Sequence, residues 1–317
     1  MPSRAQKVVV IGTGGTIAGQ SARPQDHLGY QAGALTAADL VASVPALAGL
    51  PLECESLVQM DSCDMDHLSW VRLAQTVQHH LARDDVAGVV ITHGTDTLEE
   101  TAFFLHHTLQ LGKPVVMTAA MRPATAPSAD GPQNLLDAVT LALSPGAVGV
   151  LVAFGAQVWA GVDVRKVHGY RVDAFHGGDA GPLAVLQDGQ VRQFRTWPQQ
   201  PPLHAAALQQ DSASWPVVDI VTSHAGARAA TLDALVAAGA QGLVVAGTGN
   251  GSVHASLLVA ARRAQAQGVV VKRASRCLLG GVVGSSVDKL PSAGDATPAQ
   301  ARVLLMLELL QARKSKA

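Results

Sequence analysis

The sequence predicts an α/β protein with a larger N-terminal domain, whose mostly parallel sheet is flanked by helices, and a smaller C-terminal α/β domain. Short runs rich in Val and Ile alternate with longer helical stretches, which is typical of β-α-β units around a parallel sheet. The alternation stops between Phe194 and Pro216, where Pro and Gln accumulate without strand or helix periodicity. We therefore expect an N-terminal domain over residues 1–193, a linker over 194–215 and a C-terminal domain over 216–317.

Seven apolar runs are predicted as strands. In chain order they are Lys7–Ile11, Gly88–Thr92, Pro114–Thr118, Val148–Phe154, Val217–Thr222, Gly242–Ala246 and Gly268–Lys272. Two helix starts carry recognisable signals. Thr97 and Glu100 have the spacing of a capping box, and Pro132 follows Asp130 just before another apolar stripe.

The composition limits the classes of partner. Hydrophobic side chains make up 48% of the 317 residues, and the formal net charge is -1, with Lys and Arg spread along the chain. Such a chain lacks the basic field that holds nucleic acid or an anionic membrane surface. No apolar run reaches the ~20 residues of a membrane span. We expect a soluble protein that binds a small molecule.

The N-terminus and the cysteines both bear on the location of the protein. The first residues lead directly into a strand without an apolar signal-like stretch, which predicts a protein that is not exported. The cysteines are odd in number and form no CxxC pair, which suits a reducing cytoplasm. They are Cys54, Cys63 and Cys277.

Adjacent histidines occur twice, as His79-His80 and His106-His107. Neighbouring residues of a helix point to different sides, and no HExxH motif is present. We therefore expect solvent-facing histidines and no metal site.

Polar residues follow two predicted strands, at the sheet edge where parallel α/β proteins bind ligands. Gly12–Gly19 brings backbone N–H groups close to a ligand and can hold an oxyanion, although a tight strand-to-helix turn explains the glycines equally well. Ile17 at the third glycine position argues against a dinucleotide fingerprint. After the next strand, Thr95 and Asp96 can orient water or a polar substrate group; the alternative is that Asp96 or Thr97 only caps the following helix.

Together the two segments resemble a known family. VVVIGTGGTIAG and VITHGTDTLEETAFFL are similar to the paired signatures of the L-asparaginase and glutaminase-asparaginase family. The likeness continues in KPVVMTAAMRP, SADGPQNLLDAV, AGTGNG and PAQARVLL, so that it covers nearly the whole chain. Two long motifs of different composition in the right order make this a specific resemblance.

The resemblance implies a set of catalytic residues. Thr13 matches the family's nucleophilic threonine, and Tyr30 matches the tyrosine of its mobile lid. The family's second threonine, its aspartate and the lysine that completes the group are matched by Thr95, Asp96 and Lys166.

Substrate-binding residues are implied in the same way. Ser62 matches a serine that holds the substrate carboxylate, and Cys63 follows it where many members have glutamine. Thr95 and Asp96 are also expected to contact the substrate, with Asp96 binding its ammonium group. Asn250 matches an asparagine that, in family members, reaches a neighbouring subunit's site, so we expect a homotetramer.

The expected activity is hydrolysis of L-asparagine to L-aspartate and ammonia. Thr13 attacks the amide and forms an acyl-enzyme, while Lys166 acts as a base toward Thr95 or an attacking water. This chemistry requires no metal and no cofactor. The alternatives are a glutaminase-asparaginase, an amidase for another small amide such as D-asparagine, and a catalytically weak homologue that only binds an amino acid.

Two departures from the family pattern affect the details. Cys63 changes the substrate contacts beside Ser62, and a thiol near an anion-binding site is expected to have a somewhat lowered pKa. In Cys277–Lys289 the only acid is Asp288, so we transfer no catalytic glutamate that would approach the lid tyrosine from another subunit.

Overall fold

The computed structural model describes residues 6–23, 25–26, 28–199, 201–284 and 290–314. The chain divides into two compact units, Met1–Leu208 and Gln209–Ala317. This division lies inside the segment 194–215, where short 3-10 helices occur at Ala205–Gln209 and Ser212–Ser214. The linker over 194–215 stays a prediction.

The first unit contains twelve described strands and four described α-helices. The strands are β1 Lys7–Gly14, β2 Gln20–Ser21, β3 Tyr30–Gln31, β4 Leu52–Met60, β5 Val86–Thr92, β6 Pro114–Thr118, β7 Gly149–Phe154, β8 Gln157–Ala160, β9 Arg165–Lys166, β10 Phe175–His176, β11 Ala184–Gln187 and β12 Gln190–Gln193. The helices are α1 Ala37–Ala42, α2 His67–Leu81, α3 Leu98–Thr108 and α4 Gly131–Ala142.

An eight-stranded sheet organises this unit, in the order β12-β11-β8-β7-β6-β5-β1-β4. The five strands from β4 to β7 pair in parallel, whereas β8, β11 and β12 form antiparallel pairs at one edge. The carboxyl ends of β4, β1 and β5 therefore lie side by side at one edge of the sheet. This confirms the predicted mostly parallel sheet.

Both faces of the sheet are buried. Val8 and Val10 of β1 belong to a core cluster with residues of α1 and α4. Val9 and Ile11 are equally buried, and alternation along the strand directs them to the opposite face. The helices α2 and α3 contact β5 and β7 respectively. Continuous apolar strands such as VVVI are what such two-sided burial requires.

The second unit is a smaller α/β domain. Its strands β13 Val218–Thr222, β14 Gly242–Gly247 and β15 Val270–Ser275 form a parallel sheet in that order. Its helices are α5 Ala229–Ala237, α6 Ala255–Ala266 and α7 Pro298–Lys314. Leu243 and Val245 of the central strand pack in one core with Leu232 of α5 and Leu257 of α6.

All seven predicted strands are present, and their ends differ by at most three residues from those predicted. The helix start at Leu98 is also confirmed, but the capping box is wrong. The Thr97 side chain makes no cap hydrogen bond; its hydroxyl instead donates to the Ser62 carbonyl at 2.7 Å. A tertiary contact has replaced the local one. Pro132 lies in the first turn of α4, as predicted.

The expectation that the paired histidines face solvent is wrong for two of them. His79 is exposed, but His80 and His106 are buried. The His80 Nδ1 contacts Arg83 Nη1 at 3.0 Å, and its Nε2 contacts Glu55 Oε2 at 2.8 Å. Because arginine only donates, Nδ1 is the acceptor and Nε2 carries the proton. Histidine is a polar residue type, so its identity alone did not indicate that these two side chains are buried.

Buried neutral histidines predict that acid destabilises the fold. Burial lowers the pKa of His93, His106 and His107 to about 4, from an ordinary 6.5. A depressed folded-state pKa gives stability that is present above 6.5 and lost as the pH falls toward 4. Glu99 acts in the opposite sense, because burial raises its pKa to about 7. Burial also raises the pKa of the Asp137 carboxyl. The three histidines outweigh these carboxyls, and the values for the histidines and Glu99 predict a net loss on the order of 3 kcal/mol between about pH 7 and about pH 5.

Urea unfolding at the two pH values measures this loss. His106→Phe should remove part of the pH dependence, since His106 Nδ1 is buried with no hydrogen-bond partner among the described residues. The exposed His79 provides the control, and His79→Phe should leave the pH dependence unchanged. A free energy of unfolding that stays constant or rises on acidification would contradict the assignment.

Candidate active site

The candidate site lies at the carboxyl ends of β4, β1 and β5. Gly12 at the end of β1 is in register with Thr92 of β5, and Gly14 is in register with Met60 of β4. Three loops therefore leave the sheet next to one another, and each carries residues that the sequence marked as functional. Residues nearly 80 positions apart in the chain become neighbours through this pairing.

Two glycines allow the loops to approach closely. Gly14 and Gly15 have φ values of 97° and 77°, in the left-handed region that favours glycine. A Cβ atom on Gly15 would lie 2.2 Å from Gly94 Cα, and one on Gly14 would lie 2.4 Å from the Met60 carbonyl oxygen. Any side chain at either position would force the first loop away from its neighbours.

Thr13 is buried in this arrangement. Its side chain lies at the end of β1, and its Oγ1 donates to the Thr92 carbonyl oxygen at 3.0 Å. The Thr13 proton thus points to a main-chain acceptor of the neighbouring strand, and the described contacts give it no side-chain base. This hydrogen bond fixes the hydroxyl at the junction of the first two loops.

Tyr30 forms a hydrogen bond with a different threonine of the loop that carries Thr13. Its hydroxyl lies 2.6 Å from Thr16 Oγ1. Burial raises the Tyr30 pKa, the hydrogen bond to Thr16 lowers it, and the carboxylates of Asp61 and Asp96 raise it further. At neutral pH the phenol is therefore protonated. Sequence reasoning did not single out Thr16 as the partner of Tyr30.

Thr95, Asp96 and Lys166 come together in one group. Lys166 Nζ donates to Thr95 Oγ1 at 2.9 Å and to Asp96 Oδ1 at 2.6 Å. Thr95 is buried, the Lys166 side chain is 17% exposed, and the Asp96 side chain is 53% exposed. The group therefore extends from the protein interior, where proton transfer is shielded from water, to a carboxylate that solvent or a ligand can reach.

The main chain of Lys166 is held by a residue that sequence reasoning missed. Glu99, in the first turn of α3, accepts the Lys166 N–H at 2.5 Å through its Oε2. Nothing local in the sequence distinguishes Glu99 from Glu100, which the capping-box interpretation singled out instead. The contact joins residues 67 positions apart and follows from tertiary structure alone.

Ser62 connects the short 3-10 helix after β4 to the loop after β5. It begins the 3-10 helix Ser62–Asp64 and is buried. Its Oγ accepts the Asp96 N–H at 3.1 Å, and its carbonyl oxygen accepts the Thr97 hydroxyl. The strand β4, which positions it, was not predicted. Its glutamates interrupt the apolar pattern that identified the other strands.

A buried chain of hydrogen bonds supports the same loop from behind. Trp70 Nε1 donates to Thr101 Oγ1 at 2.9 Å, and that hydroxyl lies 3.1 Å from His93 Nε2. The His93 Nδ1 carries the proton and donates to the Gly94 carbonyl at 2.7 Å, because a carbonyl can only accept. In the neutral ring Nε2 is then the acceptor, so the Thr101 hydroxyl donates to it. This network orients the segment that leads to Thr95.

Cys63 is exposed beside Ser62, and the expected lowering of its pKa is wrong. Partial desolvation raises the pKa of the thiol, and the negative charges of Asp61, Asp64 and Asp96 raise it further. The surroundings attract cations more than anions on this side. The sequence argument considered the proposed carboxylate site and neglected the three neighbouring acids.

Asn250 lies in the second unit, in the turn after β14. Both groups of its amide bond the main chain of Val283: Nδ2 donates to the carbonyl at 2.8 Å, and Oδ1 accepts the N–H at 2.7 Å. In this conformation the amide is occupied within its own unit. Asp288, the acid considered for the segment after Cys277, lies outside the described residues.

The arrangement can support nucleophilic attack and proton transfer. It contains hydroxyl groups on Thr13 and Thr95 and an amine that contacts one of them. Among the described residues, no three His, Cys, Asp or Glu side chains are placed to hold a metal ion. No described helix has the length and apolar character to cross a membrane.

Two family models match the chain. One, described as "Asparaginase, N-terminal", matches residues 7–199, and the other, described as "Glutaminase/Asparaginase C-terminal domain", matches residues 217–317. Together they account for both structural units.

Curated relatives are similar over nearly the full length. "Probable L-asparaginase periplasmic" of Haemophilus influenzae is 37% identical, covering 98% of this chain and 90% of the relative. "L-asparaginase 2" of Escherichia coli is 37% identical over 96% of this chain and 89% of its own. "Glutaminase-asparaginase" of Pseudomonas fluorescens is 34% identical over 99% and 89%.

A solved structure has the same fold. The crystal structure of a probable cytoplasmic L-asparaginase from Campylobacter jejuni superposes with a TM-score of 0.91 at 38% identity, covering 96% of this chain and 95% of that chain. This agreement extends across both units. The chain, matched in both halves and similar to these relatives over nearly its whole length, belongs to the asparaginase family.

Proposed function

We propose that the protein is a cytoplasmic L-asparaginase that hydrolyses L-asparagine to L-aspartate and ammonia without a metal or a cofactor. The observation that carries the proposal is the contact of Lys166 Nζ with both Thr95 Oγ1 and Asp96 Oδ1. A buried hydroxyl and a carboxylate that both contact one amine are the groups that amide hydrolysis needs for proton transfer. The names of the relatives support L-asparagine as the substrate.

In the first step, Thr13 Oγ1 attacks the side-chain amide carbon of the substrate. The carbonyl oxygen becomes an oxyanion, which N–H groups of the Gly12–Gly19 loop stabilise; those of Gly15 and Gly19 do not take part, because they already donate to the Met60 and Thr16 carbonyl oxygens. The carbon–nitrogen bond then breaks, and the departing nitrogen leaves as ammonia with the proton that Thr13 has lost. The product is a β-aspartyl ester on Thr13.

In the second step, water attacks the ester and releases L-aspartate. Lys166 accepts a proton from the water directly or through the Thr95 hydroxyl. The proton finally returns to Thr13 as the ester bond breaks, so the enzyme is regenerated. Asp96 holds the lysine in place through its 2.6 Å contact.

Substrate binding in the proposal uses the rim of the same site. Asp96 receives the substrate ammonium group, because its carboxylate is half exposed and negatively charged. Ser62 and Cys63 form the boundary of the position that the substrate carboxylate takes. Tyr30 covers the first loop, where its hydroxyl contacts Thr16. Asn250 contributes to a neighbouring subunit's site in the proposed homotetramer.

A comparison of substrates tests the proposal. We expect kcat/KM for L-asparagine to exceed that for L-glutamine, with D-asparagine lower still, when ammonia release is measured with the purified protein. One methylene group in a pocket changes the free energy of binding by only ~1–3 kcal/mol, so the preference must be measured. Equal or higher kcat/KM for L-glutamine would replace the proposal with a glutaminase-asparaginase, the activity named for one relative.

Alkylation of Cys63 tests the substrate-binding assignment. Because its thiol has a raised pKa, iodoacetamide should react slowly at neutral pH and faster as the pH increases. Modification should block turnover, since Cys63 adjoins Ser62, and saturating L-aspartate should slow it.

The control is Cys63→Ser, which should retain activity and lose the sensitivity to iodoacetamide. Peptide mass mapping must show that Cys63 is the modified thiol, because Cys54 and Cys277 are exposed as well. Complete modification of Cys63 with unchanged turnover would require the Ser62 assignment to be withdrawn.

The cytoplasmic location and the homotetramer are parts of the proposal. Three free, exposed thiols suit a reducing compartment, where they stay unpaired. Cell fractionation tests the location, since one relative is named periplasmic and one structural neighbour cytoplasmic. Sedimentation equilibrium tests the assembly, and a monomer at the concentrations of the activity assay would contradict the role of Asn250.

A further inference from the structure

The proposed reaction assigns no role to one acidic side chain next to the site. Glu99 lies in the first turn of α3, and its side chain is partly buried. Its Oε2 accepts the main-chain N–H of Lys166 at 2.5 Å. A buried carboxyl group is costly unless it has a strong partner, so this contact is the reason the group is tolerated there.

Because of this contact, both the main chain and the side chain of Lys166 are held by hydrogen bonds. The Nζ of the lysine bonds Thr95 and Asp96, which precede α3, while its N–H bonds Glu99 inside α3. One segment of five residues, Thr95–Glu99, therefore holds the lysine at both its main chain and its side-chain end. Since β9 is only two residues long, little regular structure fixes Lys166 otherwise.

The surroundings of Glu99 make its charge change near neutrality. Burial raises its pKa to about 7, although the Lys166 N–H stabilises the charged form. Among charged neighbours, Glu100 of the same helix raises the pKa, while Arg165 and Lys166 of β9 lower it. The ionised carboxylate accepts a charge-assisted hydrogen bond, which is roughly twice as strong as a neutral one.

We propose that Glu99 is a positioning residue for Lys166: the ionised carboxylate holds the lysine in reach of Thr95, and protonation loosens that hold. The inference rests on the proposed function, because it concerns the base of that reaction. It adds a dependence on pH through a residue that has no other part in the reaction. Activity should decrease on the acid side of neutrality as Glu99 takes up its proton.

Glu99→Gln separates positioning by charge from a merely structural role. Glutamine keeps an acceptor oxygen for the Lys166 N–H but cannot ionise. We expect wild-type kcat to fall roughly tenfold from about pH 8 to about pH 5.5, whereas kcat of Glu99→Gln changes less than about twofold. Glu100→Gln, the same charge change in the same helical turn, should retain an acid fall of the wild-type size, with its midpoint at a lower pH because the Glu100 charge raises the pKa of Glu99.

The opposite results overturn the inference. If Glu99→Gln keeps the acid fall of the wild type, or is impaired equally at every pH, Glu99 does not act through its charge. Absence of ammonia release by the wild type at any pH instead contradicts the proposed function, so the two failures are distinct.

A measurement on the wild-type protein tests the inference even if Glu99→Gln does not fold. The amide resonance of Lys166 should shift with the same pH midpoint as kcat, because the N–H senses the charge of Glu99. A Lys166 amide resonance that does not change over this pH range would overturn the inference.

Discussion

Thr13→Ala is expected to lower kcat for L-asparagine by at least ~10³-fold, because the variant lacks the hydroxyl that forms the covalent intermediate. The fold should survive. The substitution removes one hydrogen bond, from Thr13 Oγ1 to the Thr92 carbonyl, and leaves the glycine loop intact. Ammonia release measures the effect on turnover, and binding of L-aspartate by calorimetry measures whether the site remains formed.

Thr13→Ser is the matched control. Serine retains a hydroxyl at the same position, so it should keep far more activity than alanine at equal stability. Near-normal ammonia production by Thr13→Ala would remove Thr13 from the role of nucleophile. The buried hydroxyl would then have only the structural function of joining β1 to β5.

Lys166→Met is expected to be similarly inactive, because Thr95 and Asp96 both lose the amine that contacts them. Lys166→Arg should fail as well. Arginine keeps the positive charge but stays protonated at any accessible pH, so it cannot serve as a base. Most of the wild-type activity in Lys166→Arg would make Lys166 an electrostatic anchor instead.

Lys272→Met is the control for these variants. Lys272 has a similarly covered side chain, 19% exposed, and an ion pair with Glu308 at 2.7 Å in the second unit. Replacing it removes a lysine of comparable environment without touching the candidate site. Its kcat should stay within about twofold of the wild type, as expected for a substitution outside the reacting groups.

Thr95→Val extends the same test to the partner of Lys166. If the residues act as one unit, the double variant Thr13→Ala with Thr95→Val should be scarcely slower than either single variant. If the losses of transition-state stabilisation in the two single variants add fully in the double variant, the two residues contribute independently.

The sequence was sufficient for the strands that are apolar throughout. Lys7–Gly14 and Val86–Thr92 are buried on both faces, and each contains a continuous run of Val and Ile, VVVI in the first and VVI in the second. Leu52–Met60 alternates between partly buried and exposed positions, and its glutamates and serine concealed it. It lies at the edge of the sheet beside β1, where one side can remain polar.

The candidate site was predictable in its residue types and less so in its contacts. Thr95, Asp96 and Lys166 were identified through the family resemblance, and their hydrogen bonds agree with a shared location. The partner of Tyr30 and the contact of Glu99 with Lys166 depend on how distant segments meet. Neither contact leaves a periodic or local signal, so only the three-dimensional structure reveals them.

Simultaneous measurement of L-aspartate and ammonia from purified protein supplied with L-asparagine tests the central claim most directly. The account predicts both products in equal amounts from the wild type, and neither above background from Thr13→Ala at the same protein concentration. Binding of L-asparagine by the wild type without formation of either product would contradict it and identify an amino-acid-binding homologue.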